Sequence, residues 1–189
     1  MQRTFGQLVY AAIVLGLGSA KAEVVSIHEF SSPFVLEPQP AVSVPPREIV
    51  PYNGPYLPGT IVVSTTERRL YLVLPGHQAM KYGIGVGRPG FEWGGTKIIS
   101  MKREWPAWSP SPQMLRRRPD LPRFMPGGAD NPLGARAMYL NASLYRIHGS
   151  NEPDTIGHAV SSGCIRMTND DVIDLYDRVK IGTRVIVLR

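Results

Sequence analysis

Cys164 is the only cysteine in a chain of 189 residues. A single thiol excludes an internal disulfide and any zinc site built on several thiolates. Its setting, Ser161-Ser162-Gly163-Cys164, is polar and flexible, unlike the apolar surroundings of a cysteine that merely fills space. A glycine just before a nucleophile lets backbone N–H groups converge on a developing oxyanion. At an unperturbed pKa near 8.5, only about 3% of a thiol is ionised at pH 7, so a nucleophilic cysteine needs a base. The chain has 4 histidines. His28 lies in a proline-rich stretch and His77 in a Pro-Gly turn, both expected at the surface. His158 precedes Cys164 by six residues, and His148 ends an expected strand before Gly149. The strand-edge position favours His148 as the base, with His158 second. A metal set of His148, His158 and Cys164 is disfavoured by its wide spacing and its lack of a carboxylate or second thiolate.

The elements that must hold these residues are mainly β. Thr60 to Ser64 and Arg69 to Leu74 are rich in branched and aromatic residues and flank a polar turn, which predicts a hairpin. Gln78 to Val86 continues as a third strand, ended by Gly87-Arg88-Pro89-Gly90. Ala137 to Ile147 reads as further strand with a turn near Asn141. Thr168 caps a helix whose Asp170 and Asp171 suit the positive end of its dipole. Val172, Leu175, Tyr176 and Val179 give that helix one apolar stripe, Gly182 ends it, and Val185 to Leu188 is a last buried strand.

Prolines cluster twice, eight between Pro33 and Pro58 and seven between Pro106 and Pro132. Residues 23–58 read as an extended linker or arm. The 106–132 segment reads as a lid or binding loop, in which Ser111-Pro112 starts one short helix through Met114 and Leu115. Trp93, Trp105 and Trp108 lie in or just before it, placed either to pack the loop or to stack on a substrate.

Residues 1–22 have the form of a secretory signal: Arg3, an apolar run from Leu8 to Leu17, and Ala20-Lys21-Ala22 for cleavage. The run is short of the ~20 residues a spanning helix needs, so no stable membrane span is expected after cleavage. Cleavage would take Arg3 and Lys21 and no acid from the net charge of +6, leaving +4. Between Lys97 and Arg123, seven basic residues face two acids, a local +5 that exceeds the whole excess. An exported protein with one basic strip is suited to an anionic envelope polymer or a carboxylate-bearing substrate rather than to nucleic acid.

Tyr145-Arg146-Ile147-His148-Gly149-Ser150-Asn151, then Ile156-Gly157, then Val160-Ser161-Ser162-Gly163-Cys164-Ile165-Arg166-Met167, resembles the catalytic signature of the L,D-transpeptidases (YkuD-like domains). Asn131 to Arg136 and the strands from Gly59 to Val86 extend the resemblance over residues 59–189. The resemblance implies a mixed, β-sandwich-like fold with one amphipathic helix after the catalytic loop and a long Pro/Trp/Arg-rich lid. It implies Cys164 as the acylated nucleophile and His148 as its base, with the Gly149 carbonyl orienting the imidazole. Backbone amides at Gly163 and Cys164 would form the oxyanion hole. Ser161, Ser162 and Arg166 would lie against substrate, Arg166 either meeting a carboxylate or bracing the loop. Many relatives carry histidine at the position of Ser162 and threonine at that of Ser150. By resemblance the substrates are peptidoglycan stem peptides in the cell envelope or periplasm, and no metal or organic cofactor is needed. Water as acceptor, giving a carboxypeptidase or endopeptidase, and a non-catalytic wall-binding module are the rival readings.

Overall fold

The computed structural model describes residues 44–189. The expected signal, His28 and the first part of the proline-rich segment lie outside them. Eleven strands, two α-helices and one 3-10 turn follow one another among the described residues. β2 (Ile61–Ser64) and β3 (Arg69–Leu74) form the expected hairpin, and β4 (Gln78–Gly83) pairs with β3 on its other side. Within the proline-rich segment, β1 (Glu48–Pro51) adds an edge strand antiparallel to β4. Pro51 fits there because an edge strand has backbone groups with no ladder partner to lose.

The expected third strand divides. β4 stops at Gly83, and β5 (Val86–Gly87) leaves the sheet to pair in parallel with β9 (Ala159–Ser161). Gly85 lies between them and exchanges two backbone hydrogen bonds of 2.9 Å with Arg166. A side chain at Gly85 would come within 3.0 Å of the Thr155 carbonyl, so only glycine lets the two backbones meet there.

β6 (Gly95–Glu104) is a strand that the sequence pattern did not announce. Only Ile99 along it is buried, while Ile98 is 43% exposed, so no period-two signal marks it. It holds the architecture together nonetheless. Its first half pairs with β11 (Arg184–Leu188) and its second with β7 (Arg136–Leu140), with a register shift between Ile99 and Met101. An irregularity of this kind bends a strand and raises its twist. The main sheet thus curls through the order β1-β4-β3-β2-β11-β6-β7-β8-β10. The last two strands are β8 (Arg146–His148) and β10 (Ile165–Arg166).

One apolar core joins the curled halves, including Ile61, Leu70, Tyr82, Met138, Ile147 and Val185. α2 (Asn169–Arg178) closes it with Val172 and Leu175. Thr168 caps α2, accepting from the Asp171 N–H at 3.1 Å. The helix ends at Arg178, short of Gly182, which instead serves a turn at φ +92°. α1 (Pro112–Arg117) matches its expected start, with the Ser111 hydroxyl accepting from the Met114 N–H at 3.2 Å. It buries no residue and rides on a loop pinched by paired backbone bonds between Trp108 and Met125. The domain is mainly β with one longer helix, as expected. Among the described residues no helix is long and apolar enough to cross a membrane.

Candidate active site

β8 and β10 run parallel, with Ile147 opposite Ile165 and His148 opposite Arg166. Ile147 and Ile165 turn into the core, 0% and 2% exposed. Alternation then puts the flanking residues of both strands on the other face. Continuing the register back one residue sets Cys164 beside Arg146. Cys164, Arg146, His148 and Arg166 therefore occupy the corners of one face, with Cys164 and His148 as diagonal neighbours, a span that longer side chains reach across.

His148 is 4% exposed, and its Nδ1 lies 2.6 Å from the Gly149 carbonyl oxygen. That carbonyl can only accept, so Nδ1 carries the proton and Nε2 keeps a free lone pair. Burial lowers the imidazole pKa to about 3; the Gly149 carbonyl opposes this, and the Arg166 and Arg146 charges add to it. The ring is neutral at pH 7. Gly149 is held from behind by Asn169, the first residue of α2. Asn169 Oδ1 accepts from the Ala135 N–H at 2.9 Å and fills the space a side chain on Gly149 or Gly134 would need.

Burial also raises the Cys164 thiol, while the Arg146 backbone and guanidinium and the Arg166 charge pull the other way. The resting pair is thus neutral thiol and neutral imidazole, not an ion pair. Cys164 Sγ and Arg146 Nη1 both point at the Leu144 carbonyl, at 3.9 and 3.3 Å. Arg146 Nε is buried without a partner, and the guanidinium lies 4.9 Å from the centre of the Tyr139 ring.

The loop before Cys164 is fixed by Trp93, Tyr145 and Ser161. Trp93 stacks on Tyr145 at 4.6 Å, and its Nε1 donates to the Gly163 carbonyl at 2.7 Å. Gly163 sits at φ +105°, and a Cβ there would lie 2.5 Å from Tyr145 Cε1. Ser161, 3% exposed, donates to the Cys164 carbonyl at 2.6 Å and accepts from the Gly163 N–H at 3.1 Å. Its hydroxyl is committed inside the loop rather than turned toward a ligand. The Gly163 N–H, expected in an oxyanion hole, is likewise engaged, and the Cys164 amide remains as the candidate donor.

Arg166 Nη1 lies 3.0 Å from Glu152 and 3.4 Å from Thr155 Oγ1, so it braces the neighbouring turn. Ser162 accepts from Arg117 Nη2 at 3.4 Å, which brings α1 against the loop before Cys164. The two meet across a cleft of about 410 Å³ lined by Trp108, Met114, Arg88, Arg117 and Arg166 among others. His158 is exposed and borders a separate depression with Glu67 and Arg68. His77 is exposed in a turn at φ 56°. Among the described residues no three His, Cys, Asp or Glu side chains converge as a metal set. Tyr145 stands within the motif itself, whereas the roles of Trp93 and Asn169 rest on partners far along the chain.

The L,D-transpeptidase catalytic domain (YkuD) matches residues 58–187. The chain is 42% identical over 137 residues to the probable L,D-transpeptidase ErfK/SrfK of Escherichia coli strain K12, covering 68% of this chain and 43% of that protein. It is 53% identical over 141 residues to the putative L,D-transpeptidase YkuD of Bacillus subtilis strain 168, covering 74% of this chain and 70% of that one. An L,D-transpeptidase from Mycobacterium smegmatis shares the fold at a TM-score of 0.56 and 20% identity, over 69% of this chain and 58% of that chain. Fold and matched segment together define an enzyme's catalytic domain. The chain belongs to the L,D-transpeptidase catalytic domain family, and it spans less than half the length of the Escherichia coli relative.

Proposed function

We propose that this protein is an exported, cysteine-dependent L,D-transpeptidase that acts on peptidoglycan stem peptides in the cell envelope. The observation that carries the reading is the imidazole of His148, fixed by Gly149 at 2.6 Å with Nε2 free, on the strand face that also bears Cys164. Burial raises the thiol above its ordinary range, so little thiolate stands ready at pH 7 and proton removal must accompany attack. Cys164 Sγ bonds to the carbonyl carbon of the third stem residue, a meso-diaminopimelate, as its proton passes to His148 Nε2. The resulting oxyanion faces the Cys164 amide. Collapse breaks the peptide bond; D-alanine leaves with the proton returned by His148, and a thioester remains. An acceptor amine then attacks the thioester, gives its proton to His148, and expels the Cys164 sulfur, which is reprotonated. The loop of residues 106–132 shields the thioester, and aminolysis prevails where water is excluded.

The deciding experiment is mass spectrometry of muropeptides after incubating the protein with a tetrapeptide stem. Cross-linked dimers and released D-alanine are expected, and Cys164→Ala should yield neither while keeping its fold. Trimmed monomers alone would assign the chain to a carboxypeptidase, and stem binding without any thioester would make it a binding module.

A further inference from the structure

Two arginines lining the cleft have no counter-ion among the described residues. Arg118 forms a two-pronged pair with Asp120 at 2.9 and 2.6 Å, and Arg166 pairs with Glu152. Arg88 and Arg117 have no carboxylate within ion-pair distance among the described residues. Both lie against the ring of Phe91, their guanidinium carbons 4.3 and 5.2 Å from its centre. Stacking on one ring keeps the two guanidinium carbons no more than about 9.5 Å apart and, the Arg117–Ser162 contact aside, leaves N–H groups of both for an anion. They come from separate elements, Arg88 from the turn after β5 and Arg117 from α1, and both line the cleft. Asp130, the other acid on the cleft wall, pairs with neither.

We infer that Arg88 and Arg117 form an anion subsite that takes a carboxylate of the donor peptide and thereby sets which stems the enzyme accepts. This rests on the reading of the site as an acyltransferase for peptide stems. Arg117 touches Ser162 at 3.4 Å, two residues from the nucleophile, a Cα separation of at most ~7 Å. The distal carboxylate of a diamino-diacid side chain reaches about 6 Å from its own Cα when extended, which spans that gap. The carboxylate of the departing residue lies only about 4 Å from the attacked carbonyl, too near the sulfur to reach the Phe91 platform. A planar carboxylate between two guanidinium edges makes parallel charge-assisted bonds, and its amide loses one acceptor and the charge. The site is thus built to reject an amidated side chain.

The test uses three tetrapeptide stems: free, amidated at the side-chain carboxylate, and amidated at the C-terminus. Wild type, Arg88→Gln, Arg117→Gln and the double variant are compared for KM and kcat of D-alanine release. Wild type should prefer the free stem over the side-chain amide by about tenfold or more in KM, the equivalent of about 1.4 kcal/mol. The double variant should lose that preference while its alkylation by iodoacetamide stays unchanged, which separates a substrate contact from a collapse of the loop. A preference surviving in the double variant, one that tracks the terminal carboxylate, or a change in alkylation equal to the change in KM would each overturn the subsite. Should no stem turn over, the proposed activity fails separately. Calorimetric binding of the same stems to Cys164→Ala then decides the subsite alone: a discrimination abolished by the double substitution supports it, and equal binding refutes it.

Discussion

Replacing His148 by asparagine keeps an N–H aimed at the Gly149 carbonyl but removes the titrating ring. In the native protein burial holds that ring to about 3, against an ordinary 6.5. A histidine depressed on folding binds fewer protons than it does in the unfolded chain between those two values. Its contribution is intact above pH 6.5 and is lost as the solution is acidified toward pH 3. Within the window each pH unit costs about 1.4 kcal/mol. From pH 7 to pH 4.5 this group alone removes about 2–3 kcal/mol of stability, which asparagine does not lose. Urea unfolding of both proteins at the two pH values measures the difference. Asp174 works against burial and is held low by Arg178 and Tyr82, so it also weakens in acid, but equally in both proteins. The stability gap between wild type and His148→Asn should therefore shrink by about 2–3 kcal/mol at the lower pH. A gap that stays constant would mean that the ring is not kept neutral by burial, and the neutral resting pair would have to be abandoned.

Gly163→Ala should cost about 1–3 kcal/mol from its positive φ, in addition to the contact with Tyr145, and should slow acylation with it; thermal melting and product release read the two effects. Arg146→Gln removes a charge that favours the thiolate, so the pH midpoint of iodoacetamide alkylation at Cys164 should move upward. A midpoint unchanged or lowered would show that the guanidinium does not act on the sulfur. Asn169→Ala strands the Ala135 N–H in a buried position and should destabilise by about 1–3 kcal/mol, measured by urea unfolding.

Much of this was readable in the chain because the signals were local. The β2–β3 hairpin carries branched residues around a polar turn, and α2 has both a cap and an apolar stripe. His148 and Cys164 stood out because few residue types can do thiol chemistry. β6 was unreadable because only one of its side chains is buried: its place is fixed by backbone pairing on both sides, which leaves no apolar rhythm. Gln78 to Val86 reads as one strand until Gly85 is seen to admit the Arg166 backbone. Ser161 looked like a ligand contact, since a serine beside a nucleophile is polar in sequence whichever way it turns; in the fold both its bonds close on the loop. The roles of Trp93 and Asn169 depend on partners 70 and 34 residues away, a distance no local pattern encodes.

The position of β11 bears on how the protein is made. Arg184–Leu188 lies between β2 and β6, parallel to one and antiparallel to the other. β11 comes last among the described elements, so the hairpin side and the histidine side are both made before the strip that joins them. Until it pairs, β2 and β6 each present an unpaired backbone edge. Thiol and imidazole already lie in the same half, but the clamp from β5 and the Trp93 stack come from chain on the far side of that seam. The two halves of the sheet are thus stitched by the element furthest along the described chain, and the clamp on the loop before Cys164 is drawn across the seam that this element fills.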